Sequence, residues 1–152
     1  MNKEELLRRY AAGERDFSGI DLSGVKLVRV SLSEIKLSNA NLSGTNFLCA
    51  DLENSDLSRA NLSGAILDSA KLDNADFSGA NLRGAKLSES TLNGADLTEA
   101  DLSGANFIQA SLVNANLAGA ILEDTDFGLA SLDGIDWSGV DLSRVKMDIF
   151  PY

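Results

Sequence analysis

The chain of 152 residues contains no histidine, a single cysteine and no long apolar run, and it lacks any Lys or Arg between Lys86 and Arg144. Each absence removes a class of function. Without histidine the commonest general base and metal ligand is missing, and no residue stands ready to activate one of the many serines as a nucleophile. Cys49 has no partner, so an intrachain disulfide is impossible. No segment is apolar for long enough to span a membrane, and the charged N-terminal residues lack the apolar centre of a signal peptide, which makes cytoplasm the expected compartment. The net charge is −10. Ten acids and no base lie between Lys86 and Arg144, whereas the remainder balances 13 acids against 13 bases. A nucleic-acid footprint is thereby excluded, and an anionic membrane surface would repel the chain.

What is present is a period of five. Every fifth residue from Phe17 to Tyr152 is a large apolar side chain, at 28 sites without a slip, and 20 of them are Leu. Two residues before each of these centres, from Ile20 to Val145, stands only Ala, Ser, Thr, Val or Ile. Neither the 3.6 of a helix nor the 2 of an ordinary strand fits this spacing. In a short extended segment, however, the small site and the centre face the same way, with the residue between them facing out. The two residues after the centre are mostly Ser and then Gly, and eleven of the 13 glycines occupy that second place. Those are corner residues, suited to positive φ. Strand and corner in alternation curl the chain into a coil whose interior is the centre and small columns. Stacked coils make a solenoid.

The tandem A(D/N)LxG units, as in ADFSGANLRGAKL from Ala75 to Leu87, resemble the pentapeptide-repeat family over residues 16–152. The resemblance implies an all-β architecture, a right-handed quadrilateral β-helix with four units to each coil. Its 28 centres then make about seven coils, roughly 34 Å in length at about 4.8 Å per step. The aromatic centres agree with four sides. Phe47, Phe107 and Phe127 fall on one wall and Phe17, Phe77 and Trp137 on the opposite one, none on the walls between. Leu82, Leu87, Ala85, Phe107, Phe127 and Trp137 are read as structural core.

The ends differ from the middle. Residues 2–12 form a helix on the sequence pattern, with Asn2 as cap, Glu5 three residues on, a stripe of Leu6, Leu7, Tyr10 and Ala11, and Gly13 as stop. We therefore divide the chain into a capping helix, 1–13, and a single β-helix domain, 14–152. Ile20, Val25, Val30 and Ile35 near one end, and Ile135, Val140, Val145 and Phe150 near the other, enlarge the small column where a terminal coil lacks a neighbour. Phe150 and Tyr152 are expected to plug the last coil, with Pro151 blunting its edge. A monomer follows, or a weak end-to-end dimer that salt strengthens by screening the acids behind that end.

With the units folded four to a coil, one outward column reads Asp16, Lys36, Asp56, Asp76, Asp96, Asn116, Asp136, and we take Asp56, Asp76, Asp96 and Asp136 as a candidate acidic stripe for a basic partner. A neighbouring wall stacks Asn41, Asn61 and Asn81 as an amide ladder. The wall opposite the stripe carries Val28, Leu48, Cys49, Ile66, Ile108 and Leu129 outward, a candidate interaction surface in which Val28, Leu48 and Ile66 come from successive coils. Acids recur every five residues through the repeat, and SGANLRGAK has neither the Lys-Ser/Thr nor the helix of a phosphate loop. No catalytic residue, cofactor or metal is expected. The opening ELLRRYAAGERDFSGIDLSG resembles cyanobacterial members of the family. The resemblance implies a non-enzymatic scaffold recognised by a protein partner. Its alternative is mimicry of DNA, since certain members match a duplex in shape and acidity and bind type II topoisomerases such as gyrase. Those relatives dimerise through a C-terminal helical segment, where this chain has MDIFPY.

Overall fold

The computed structural model describes residues 1–147, so the plug expected from Phe150, Pro151 and Tyr152 lies outside the described residues. Helix α1 runs Lys3–Ala11. Asn2 caps it by accepting from the Glu5 N–H at 2.9 Å, and Glu4 and Glu5 in the first turn with Arg8 and Arg9 in the last complement the helix dipole. Its apolar side faces the first coil: Leu6 is fully buried, and Leu7 and Tyr10 pack partly buried against the core. Three polar contacts fix the angle of entry. Tyr10 Oη donates to the Ser33 carbonyl at 2.8 Å, Arg9 Nε donates to Glu14 at 2.6 Å, and the Arg15 guanidinium lies 3.7 Å over the Tyr10 ring.

From Asp16 onward the chain forms single-residue parallel bridges, each to the equivalent residue four units ahead: Asp16 to Lys36, Asp21 to Asn41, Lys26 to Asn46, Ser31 to Asp51, and so on to Asp126 with Lys146. Four bridging columns make four walls, here numbered from those four residues. Only the outward residue of each unit is paired as a strand because a corner follows at once. At every fifth residue from Gly19 to Gly139, φ is positive, between 56° and 73°. Since the preceding corner residue is not positive and the following N–H closes back on the centre's carbonyl, as in Ala80 to Phe77 at 2.9 Å, the corners are type II turns. Glycine fits there, and fourteen other residues accept the same conformation because the ladders on either side hold it.

The backbone account closes within one unit. Phe77 N–H donates forward to the Asp96 carbonyl and Gly79 N–H to Thr98; Asn81 N–H donates back to Ala60; Ala80 closes the turn. One N–H, that of Ser78, is left without a backbone acceptor. A side chain must supply it.

Inside, every centre from Phe17 to Phe127 is buried, with the small column packed between them. Phe107 and Phe127 stack on the third wall at 5.1 Å, and Phe127 meets Trp137 of the first wall edge-on at 6.1 Å. Leu82, Leu87, Ala85, Phe107 and Phe127 are fully enclosed, but Trp137 is only partly buried. Its rung has a neighbour on one side alone among the described residues, so half the ring lacks a cover.

Polar residues in the small column must bond within the core. Thr45 Oγ1 donates to the Leu22 carbonyl, Thr125 Oγ1 to Leu102 and Ser90 Oγ to Leu87, whereas the buried Ser55 Oγ has no partner. Ser55→Ala is therefore expected to stabilise the protein by about 1 kcal/mol, read as a raised midpoint in urea unfolding at unchanged slope.

Candidate functional site

The orphan N–H of each corner explains the acidic column. Asp76 Oδ1 accepts from the Ser78 N–H at 2.9 Å and from its hydroxyl at 2.6 Å. Asp56 holds Ser58, Asp96 holds Thr98 and Asp136 holds Ser138 in the same way, and Asn116 holds the Ala118 N–H. The stripe is thus an array of Asx turns with one oxygen spent on the backbone. Lys86, Thr91 and Ser111 offer no such acceptor, and there the coil before lends one. Asp68 accepts from Ser88, Asp73 from Asn93, and Asn93 from Val113, each across one full coil.

Because Asn61 and Asn81 accept the same bond, Asp76→Asn is expected to leave stability within about 0.5 kcal/mol, while Asp76→Ala costs about 1 to 2. Urea melts of the two variants distinguish a structural from a purely electrostatic column. Equal losses would contradict the turn role.

These bonds act on the carboxylates. Ser18, Ser23 and Ser138 hold Asp16, Asp21 and Asp136 below the ordinary value of 3.8, hydroxyl first and N–H second, and the Ser143 N–H then its hydroxyl do so for Asp141. Partial burial pushes Asp101 up, but Ser103 and the Arg83 guanidinium, 3.1 Å away, outweigh it and its net direction is down. A depressed carboxyl favours the folded state above its unfolded pKa. That contribution fades as pH falls below 3.8 and through the folded values.

The apolar third wall differs from expectation. Val28, Leu48, Ile66 and Ile108 are half-buried, since side chains stacked one coil apart cover each other. Cys49 is an exposed free thiol at a corner, and Leu129 is 58% exposed. The open cluster expected at Val28, Leu48 and Ile66 is therefore a shallow stacked strip. Among the described residues the other large exposed apolar side chains are Ile121 and Leu142, both on the second wall.

There the sequence pattern carries a signal that periodicity alone passes over. The corners Ser43–Gly44, Ser63–Gly64 and Ser103–Gly104 give way to Glu123–Asp124 and Ser143–Arg144, and Ile121 stands where the wall otherwise has Asp or Asn. Between these last two rungs lies a cleft of about 390 Å³, lined by Gly119, Ala120, Ile121, Leu122, Asp141 and Arg144 among others. Arg144 donates to both Glu123 and Asp124 across it. No group of three or more His, Cys, Asp or Glu among the described residues is placed to hold a metal ion. No helix among them is long and apolar enough to cross a membrane.

Comparison with known proteins agrees with this geometry. The family described as Pentapeptide repeats matches residues 16–47, 46–84 and 80–119, in eight copies. A pentapeptide repeat protein, Rfr23, from the cyanobacterium Cyanothece 51142 is similar over 95% of this chain and 99% of its own, at 28% identity and a TM-score of 0.64. A trypsin-treated form of QnrB1, a plasmid-mediated fluoroquinolone resistance protein, is similar over 88% of this chain and 77% of its own, at 26% identity and a TM-score of 0.57. No curated protein matches the chain.

Proposed function

Because this chain belongs to the pentapeptide-repeat family and shares its right-handed β-helix, we propose that it is a non-enzymatic scaffold, a rod of about seven coils whose walls are read by a protein partner. The observation that carries this reading is where the wall polar groups go. Aspartate oxygens and Ser or Thr hydroxyls are bonded to corners at Asp56, Asp76, Asp96 and Asp101, so these walls offer a partner fixed columns rather than a free nucleophile or base. The partner is a protein and neither nucleic acid nor an anionic membrane, given the net charge of −10. No cofactor takes part. An exposed, unpaired Cys49 suits the reducing cytoplasm, and the solution state is a monomer or a weak end-to-end dimer.

Gyrase inhibition by DNA mimicry is the second reading, favoured by the acid-only span 87–143 and by the likeness to QnrB1. The test uses the turn chemistry. Asp96, Asp101 and Asp136 changed together to Asn keep their corner bonds and remove three charges. Under mimicry, the protein inhibits gyrase supercoiling at micromolar concentration and the triple variant loses that inhibition. Under the scaffold reading, neither protein inhibits, and affinity capture from the source cells yields a partner other than a topoisomerase.

A further inference from the structure

We propose that the cleft between the last two rungs of the second wall is a docking slot for an extended basic segment of a protein partner, which adds itself to the wall where Asp141 leaves the ladder open. The inference deepens the scaffold reading and rests on it.

A regular step of this wall exchanges three hydrogen bonds, one of them at the corner, from Gly104 N–H to the Glu123 carbonyl at 2.8 Å. Leu102 N–H donates to the Ile121 carbonyl at 2.8 Å, and Ile121 N–H donates back to Ala100 at 2.9 Å. At the next step both of these are missing, and the corner bond alone, Asp124 N–H to the Arg144 carbonyl at 3.1 Å, joins the two rungs. No bridge joins Ile121 to Asp141, and among the described residues the Leu122 N–H and the Ala120 carbonyl have no partner, although these residues are only 2% and 4% exposed. Buried backbone groups left unpaired are rare and mark a place where a partner belongs. Fraying does not account for the gap. The ladder is intact before it, at Asn116 with Asp136, and after it, at Asp126 with Lys146.

The register of the two free groups says what fits. A donor and an acceptor flanking one outward residue form the edge of a parallel strand, and a single extended residue satisfies both. The rim says which side chains that segment carries. Glu123 and Asp141 line the opening, Asp124 stands next to Glu123 and holds the lining Arg144, and no Lys or Arg occurs in residues 87–143. The chain's own Arg144 is already drawn onto Glu123 and Asp124, which shows a guanidinium suits that rim. Ile121, 51% exposed and part of the lining, offers apolar cover to alternate side chains. An extended segment in which Lys or Arg alternates with an apolar residue matches hydrogen bonds, charge and period together.

Two measurements on the full chain test this. In the free protein the Leu122 amide is expected to exchange with solvent at least about 100-fold faster than that of Leu102, its equivalent one coil earlier. Titration with a blocked Lys-Val-Lys-Val-Lys peptide, followed by amide shifts, is expected to perturb residues 119–124 and 139–144 and to slow Leu122 exchange, with weakening by salt and silence from Glu-Val-Glu-Val-Glu. Glu123→Gln combined with Asp141→Asn should raise the midpoint about threefold or more. A Leu122 amide already protected in the free protein overturns the proposal, because that N–H then has a partner within the chain. So does an absent response at millimolar peptide, or one spread along the first wall. A captured partner that binds the double variant as well as the parent would leave the scaffold reading standing and remove this one.

Discussion

Phe107→Ala is expected to destabilise the protein by about 3 to 5 kcal/mol and to lower its melting temperature by roughly 10 °C or more. Phe107 is fully buried and stacks on Phe127, so the substitution removes both its own transfer free energy and an aromatic contact. The cost falls high in the range because the site cannot collapse. Four ladders of backbone bonds fix the distance between opposite walls, and the cavity stays open. The converse change, Ala85→Leu, inserts volume into the same closed section and is expected to cost about 1 to 3 kcal/mol. Calorimetry on both variants, with Ser88→Ala as a surface reference, would show the interior is not rigid if the two losses came out near that of the reference.

The second large effect concerns the end of the rod. Leu6→Ala is expected to cost about 2 to 5 kcal/mol, since Leu6 is the fully buried residue of α1 and closes the first coil. In a solenoid each coil is held chiefly by its neighbours, so the loss should be local before it is global. Hydrogen exchange at Leu22, Leu27 and Leu32 is expected to accelerate strongly, with Leu82 and Leu87 changed far less. Uniform acceleration along the chain would instead mean that the coils open together and that the helix is not a separable cap.

The interior was legible in the sequence because it depends only on which residues alternate inward. Leu82, Leu87 and Phe107 follow from the period of five, and the opposition of Phe127 and Trp137 follows once a coil is taken as four units. The outer surface was less legible, since its meaning depends on backbone direction at the corner. Asp76 reads as one charge in a column until the Ser78 N–H is seen to need an acceptor two residues back, although the Asp-x-Ser spacing was the available sign. Val28, Leu48 and Ile66 face outward as the period of five places them, and neighbours one coil above and below leave them half-buried, a degree of cover that the period alone does not give. The cleft beside Ile121 arises where several small departures from the repeat coincide, and no single residue announces it.

The constant offset of one coil between bridged residues sets how such a chain can change its length. Insertion of a single unit after Ala50 would keep every apolar residue inside. It would also turn everything downstream by one wall, so that Lys36 stacked beneath Asp51 instead of Asp56. The acidic column would then begin on one face and continue on another, with the fold unharmed. Insertion of four units would lengthen the rod and leave each column in line. Growth by one unit is therefore silent to the core, and only growth by a whole coil is silent to a partner that reads a face.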